Sequence, residues 1–128
     1  MRILVIDGNP LFLKAAGNFL AALPDCESVL AESGEEALRL APGQHFDMAL
    51  VDYDLRRAGG VHLVRRLKLL TPPPLIVLLT PDDAQLYRAA CLKAGADDCA
   101  AKDALGSELP ALLAGLALRA GAASAAMG

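Results

Sequence analysis

Tryptophan is absent from this chain, and two tyrosines with three phenylalanines bring aromatics to only 4% of its 128 residues. The apolar fraction is nevertheless 55%, carried largely by alanine and leucine, a balance that favours helices over an all-β design. Cysteine is sparse and poorly spaced for pairing. Cys26, Cys91 and Cys99 are odd in number and form no Cys-x-x-Cys pair, which argues against a disulfide framework or a cysteine-rich zinc site and fits a reducing cytoplasm. No run of about 18 apolar residues occurs, so no membrane-spanning helix is expected. Residues 1–6 enter an apolar strand without the small-residue cleavage site of a signal peptide. Neither sign of charge dominates: the net charge is -3 with acids and bases intermixed, so neither nucleic acid nor a membrane surface is an expected partner of this segment. Proteins are the expected partners.

What the chain does contain is a series of short apolar runs, several of which stop at a chemically useful residue. Residues 3–6 end at Asp7, residues 48–51 end at Asp52 with Tyr53 and Asp54 behind it, and residues 75–79 end at Thr80. These runs lack polar alternation and read as strands buried on both faces, which are usually parallel. A brief strand is expected at 28–31, and a weak one at 99–101 just before Lys102.

Helical patterns fill the gaps. Asn9 and Pro10 open a helix over residues 11–23 with Leu11, Ala15, Ala16, Phe19, Leu20 and Leu23 as its apolar face. Ser33 and Glu36 form a capping box for a short helix to Leu40. Val61, Val64, Leu67 and Leu70 mark a third helix, whose other face carries Arg65, Arg66 and Lys68. Thr80, Pro81, Asp82 and Asp83 open a fourth that closes near Gly95, and taken alone Thr80 reads as its N-cap. The last spans residues 107–120 with Leu109, Leu112, Leu113, Leu116 and Ala120 as a core stripe and Leu118 outside it. Residues 121–128 read as a flexible tail.

Strand and helix thus alternate five times within one domain, residues 1–120, with no internal repeat. This predicts an α/β fold, a flavodoxin-like (βα)5 doubly wound parallel sheet in the strand order 2-1-3-4-5. That order sets Asp7 beside Asp52 and gathers Asp7, Asp52, Thr80 and Lys102 at the C-terminal ends of their strands. Adjacent carboxylates raise each other's pKa unless a cation neutralises them, so the pair suggests a site for a divalent ion such as magnesium. With a lysine ammonium and a hydroxyl beside it, a carboxylate nucleophile can accept a phosphoryl group.

The sequence resembles the receiver domain of two-component response regulators, from Arg2 to about Ala120. The marks are Val5-Ile6-Asp7 closing the first strand, Asp47 followed by Asp52 with Gly60 eight residues on, Leu78-Leu79-Thr80, and Ala94-Gly95-Ala96 followed by Lys102. The resemblance implies that Asp52 accepts a phosphoryl group from a histidine kinase or phosphotransfer protein. It implies that Asp7, Asp52 and Asp54, the last through its backbone carbonyl, hold Mg2+, and that Thr80 and Lys102 contact the phosphoryl oxygens. Lys102-Asp103 and the Pro10 pattern are similar to regulators bearing a LuxR-type helix-turn-helix, an output domain absent from this sequence. The chain is either a stand-alone receiver or one separated from its output.

The acidic pocket is atypical. Receivers usually carry two successive acids after the first strand, the second being the direct metal ligand, and Gly8 stands in its place, which weakens the expected Mg2+ site. Asp54 is a candidate replacement carboxylate, and an arginine, Arg56 or its neighbour Arg57, is expected to reach Asp52 as a substitute cation. Cys99 stands where an aromatic is usual in the fifth strand. Alternatives are a degenerate receiver acting through phosphorylation-independent contacts and, more distantly, a haloacid-dehalogenase-like phosphatase using Asp52 and Asp54. A flavin carrier of the same fold class lacks its phosphate loop here. His45 and His62 are not expected to bind metal. Cys91 and Cys99 are expected as small buried hydrophobes, and the apolar surface of the last helix as a homodimer or partner face.

Overall fold

The computed structural model describes residues 1–56 and 59–127, with side chains to residue 115 and at 118. Its elements follow in strict alternation: β1 (Arg2–Ile6), α1 (Pro10–Ala21), β2 (Glu27–Ala31), α2 (Gly34–Leu40), β3 (Met48–Asp52), α3 (Gly59–Leu67), β4 (Leu75–Thr80), α4 (Ala84–Lys93), β5 (Asp98–Ala101), a 3-10 turn (Lys102–Ala104) and α5 (Leu105–Met127). The five strands form one parallel sheet in the order β2-β1-β3-β4-β5. This is the flavodoxin-like arrangement expected from the alternating pattern. Because the order reverses between β1 and β3, the loops after these strands diverge and leave a crevice at their C-terminal ends.

The central strands carry two cores at once. Leu4, Ile6, Ala49, Val51, Ile76 and Leu78 face one side and pack with Leu63, Val64 and Leu67 of α3 and Cys91 of α4. Ile3, Val5, Leu50, Val77 and Leu79 face the other, with Leu13, Ala16 and Leu20 of α1 and Leu109 of α5. Alternate residues therefore point to opposite layers, and both layers are apolar, which is why these strands read as unbroken runs.

Helix phases show where the sequence patterns needed adjustment. Asn9 caps α1, its Oδ1 accepting from the Leu11 N–H at 3.0 Å, and Pro10 takes the first turn. The buried stripe is then Leu13, Ala16 and Leu20, whereas Leu11, expected inward, is 78% exposed. Helix α3 buries Leu63 along with Val64 and Leu67, and Val61 and Leu70 are half-buried at its rim. Asp83, not Thr80, caps α4 by accepting from the Gln85 N–H at 3.0 Å; Thr80 is the last residue of β4. Helix α5 begins at Leu105 and its backbone runs on through Met127, past the residue-120 boundary expected for it. Leu118 is exposed as expected, while the Leu116 and Ala120 side chains lie outside the described residues.

The N-terminal edge of the sheet is fastened by two acids. Asp47 Oδ2 accepts from the Arg2 N–H at 2.8 Å, tying the start of β1 to the approach to β3. Asp97 Oδ2 accepts from the Ile76 N–H at 2.8 Å and from Lys68 Nζ at 2.6 Å, joining β4, the end of α3 and the entry to β5. Asp7 and Asp52 lie at the opposite edge.

Candidate functional site

Asp7 and Asp52 stand at the ends of neighbouring strands, since Ile6 pairs with Val51 across β1 and β3. Both are buried, Asp7 at 1% exposure and Asp52 at 8%. Buried carboxylates need donors. Asp7 Oδ1 accepts from the Asn9 N–H at 2.8 Å, and Asp52 Oδ1 accepts from the Asp54 N–H at 3.1 Å. Each acid thus turns back on the loop that follows its own strand, fixing which oxygen remains available.

Lys102 supplies the charge. The 3-10 turn after β5 carries its ammonium back across the strand ends, where Nζ lies 2.5 Å from Asp7 Oδ2 and 3.9 Å from Asp52 Oδ2. The same ammonium sits 4.6 Å above the Phe12 ring, a cation–π contact that further restrains it. Asp7, Gly8, Asn9, Pro10, Asp52, Asp54 and Lys102 line an open cavity of about 420 Å³ together with Leu55 and Arg56. Burial pushes the Asp52 carboxyl above the usual carboxylate range; the Asp54 N–H opposes this, the Asp7 charge adds to it, the Lys102 charge opposes it, and the Asp54 charge adds again.

Of the residues singled out in the sequence, Asp7, Asp52, Asp54 and Lys102 meet in this cavity. Thr80 lies at the same end of the sheet, paired with Ala101, but its Oγ1 donates to the Asp82 carbonyl at 2.7 Å with Ala100 O at 3.4 Å, and it does not line the cavity. Arg56 lines the cavity without an ion pair to Asp52, and Arg57 lies outside the described residues. Among the described residues the cation facing Asp52 is therefore Lys102, and Arg56 makes no ion pair with it. His62 is exposed, and His45 pairs with Asp47 at 3.1 Å, away from the site.

Two features escaped the sequence reading. Lys102 bonds Asp7 more closely than Asp52, a contact across 95 positions that no local pattern encodes. Tyr53, immediately after Asp52, meets Tyr87 of α4 edge-on with ring centroids 5.0 Å apart. Cys99, at the place of the usual aromatic, instead directs its thiol at the Ala84 carbonyl at 3.7 Å.

A divalent ion would need oxygen donors that are free to turn toward it. Asp7 and Asp52 are the right chemical type, but Gly8 offers no carboxylate and an ammonium already faces both acids. Among the described residues no group of three or more His, Cys, Asp or Glu side chains is arranged to hold a metal ion. The pocket as built does not fit a tightly held divalent ion.

The chain matches the response regulator receiver domain family over residues 3–114, and it belongs to that family. It is 31% identical over 99 residues to a cyclic di-GMP phosphodiesterase of Thermotoga maritima, covering 77% of this chain and 26% of that protein. It is 31% identical over 97 residues to the transcriptional regulatory protein DegU of Brevibacillus brevis, covering 75% of this chain and 41% of that one. The chain therefore spans less than half the length of these relatives. Its fold matches the receiver domain of a Francisella response regulator with a TM-score of 0.81 at 22% identity, over 93% of this chain and 98% of that one. Receiver domains of this family work by phosphorylation of an aspartate, generally with magnesium bound, and are generally not enzymes themselves. Among the described residues no helix is long and apolar enough to cross a membrane.

Proposed function

We propose that this protein is a signal-transduction receiver whose Asp52 accepts a phosphoryl group from a histidine kinase or phosphotransfer protein and so alters a protein contact or an attached output. The observation that supports this most directly is the placement of Asp52. It is the carboxylate at the end of the central strand β3, with one oxygen held by a backbone N–H and the other facing an open cavity and a lysine ammonium.

The chemistry asked of these residues is limited. The Asp52 carboxylate attacks the phosphorus of a phosphohistidine, an acyl-phosphate P–O bond forms, the P–N bond breaks, and the imidazole nitrogen takes up a proton. Asp54 holds the nucleophile in register through its N–H. Lys102 transfers its ammonium from the carboxylates to the incoming phosphoryl oxygens, whose negative charge it offsets. Thr80 can bind the same oxygens only after its hydroxyl leaves the Asp82 carbonyl, which couples the site to the β4–α4 loop. Magnesium, expected at Asp7, Asp52 and the Asp54 carbonyl, binds weakly in this reading.

Residues 1–120 form the receiver unit, and the protein works in the cytoplasm as a phosphoacceptor and not as an enzyme. A second copy of the chain is a further expected partner. The test is incubation with acetyl phosphate and excess MgCl2 followed by intact-mass measurement. Gain of one phosphoryl group by the wild type and none by Asp52→Ala supports the reading; no gain in the wild type rejects it.

One specific observation favours a second reading, a receiver that acts through phosphorylation-independent contacts. Lys102 and Thr80 are both already engaged, on Asp7 and on Asp82 respectively. The phosphatase reading gains nothing from the structure, since Asp52 closes the third strand, not the first, and the Asp54 residue is exposed.

A further inference from the structure

We propose that Lys102 is the resident cation of the acidic pocket and that Gly8 is the residue that leaves it in possession, so that a divalent ion meets a seat already filled. The inference rests on reading this pocket as the receiver site, but it concerns which cation occupies the pocket, not whether Asp52 is phosphorylated.

Asp7 Oδ1 accepts from the Asn9 N–H at 2.8 Å, while its buried Oδ2 makes no hydrogen bond and stands in ion-pair contact with Lys102 Nζ at 2.5 Å. Asp52 Oδ1 accepts from the Asp54 N–H at 3.1 Å, and its Oδ2 faces the same ammonium at 3.9 Å. Each carboxylate is thus half committed to backbone and half turned to one shared lysine. Magnesium demands near-octahedral oxygen at about 2.1 Å and gives up its water reluctantly. To bind at these acids it must displace the ammonium from Asp7, an acid that is 1% exposed and whose Oδ2 would then face the newcomer alone.

Lys102 is also held on its far side. Its ammonium stands over the Phe12 ring at 4.6 Å and its side chain is only 25% exposed. Arg56, the other cation lining the cavity, has no ion pair with either acid. In the unphosphorylated pocket the ammonium is therefore held in place from both sides.

Position 8 decides the competition. A β-carbon at Gly8 would meet nothing closer than the Glu32 carbonyl at 3.9 Å, and the backbone there is not in the left-handed region that calls for glycine. The fold tolerates a side chain at this position. What glycine removes is a third carboxylate beside Asp7, the charge that would tilt the site from a single ammonium to a divalent ion. The pocket as it stands has two buried acids against one lysine, one negative charge in excess; an acid at position 8 would double that excess and match a divalent ion better than a single ammonium does.

The test is calorimetric titration of MgCl2 into the unphosphorylated full chain, with the amide NMR shifts of Asn9 and Asp54 reporting the location of binding. Gly8→Asp and Lys102→Gln are each expected to tighten magnesium binding by at least about tenfold over the wild type, as one unit charge a few ångströms from a divalent ion should. The amides of Asn9 and Asp54 should shift in both variants. Equal affinity in wild type and Gly8→Asp overturns the role of Gly8, and unchanged affinity in Lys102→Gln overturns the resident cation. Shifts confined to other amides overturn both. Failure of Asp52 to take up a phosphoryl group would remove the proposed function while leaving these affinities, and the inference they test, as they are.

Discussion

Gly60 packs its bare α-carbon against the backbone carbonyl of Asp52. A β-carbon at position 60 would lie closer to that carbonyl oxygen than any real contact and would also press on Leu78 Cδ2 at 3.1 Å. The Gly60 N–H donates to the Tyr53 carbonyl at 3.2 Å, so the start of α3 is pinned to the loop that leaves the site. Gly60→Ala is expected to cost about 1–3 kcal/mol by forcing α3 away from β3. Urea denaturation measures the loss, and the same displacement should move the amide signals of Tyr53 and Asp54.

The raised pKa of Asp52 carries a sign. A carboxyl whose folded pKa lies above its unfolded value favours folding while it is protonated; that contribution is complete below the unfolded pKa and is lost as pH rises through the folded one. At neutral pH the charged Asp52 therefore strains the fold, mainly through burial. Asp52→Asn should raise the urea midpoint at pH 7, and its advantage should shrink as the pH falls toward 3, where the wild-type group is neutral too. An advantage that grows on acidification would contradict the burial argument.

Thiol labelling should separate the three cysteines. Burial pushes the Cys91 thiol up to about 11 and also raises Cys99, whereas Cys26 is half-buried near the surface. The thiolate is the reactive form. Iodoacetamide at pH 8 is expected to modify Cys26 in the native protein, with Cys91 and Cys99 reacting only in denaturant, as peptide mass mapping would record.

Asp97 joins a strand to a lysine beyond α3. Its Oδ2 serves both the Ile76 N–H and Lys68 Nζ. Asp97→Ala leaves a donor of β4 and a partly buried ammonium without this partner, and a loss of about 2–4 kcal/mol is expected. Thermal unfolding checks it, and Lys68→Met should lose less because the carboxylate keeps the Ile76 N–H.

The sheet was legible because both of its faces are buried. Residues 3–6, 48–51 and 75–79 are unbroken apolar runs, and of the residues that stop them the fold gathers Asp7 and Asp52 in one cavity and leaves Thr80 at the same end of the sheet outside it. Helix faces were less legible where two apolar residues compete for one phase. Leu11 matches the spacing of α1, yet the Asn9 cap fixes the helix so that Leu13 turns inward and Leu11 outward. Thr80 has the chemistry of a cap, and only the extent of β4 shows that Asp83 takes that role. The choice of Lys102 over Arg56 as the site's cation depends on where β5 ends relative to β1, information spread over the whole chain. Asp47 and Asp97 were equally hidden, since an acid that fastens a sheet edge is written with the same letter as one that performs chemistry.

The paucity of aromatic residues gives the edge-on contact of Tyr53 with Tyr87 an unusual standing. These are the protein's two tyrosines, and there is no tryptophan to mask them. One ring follows the proposed acceptor Asp52 and the other rides on α4, so the tyrosine band of the near-ultraviolet circular dichroism originates at a single joint. Any rearrangement that parts α4 from the end of β3 would be written in that band, giving the molecule a built-in optical gauge that needs no label.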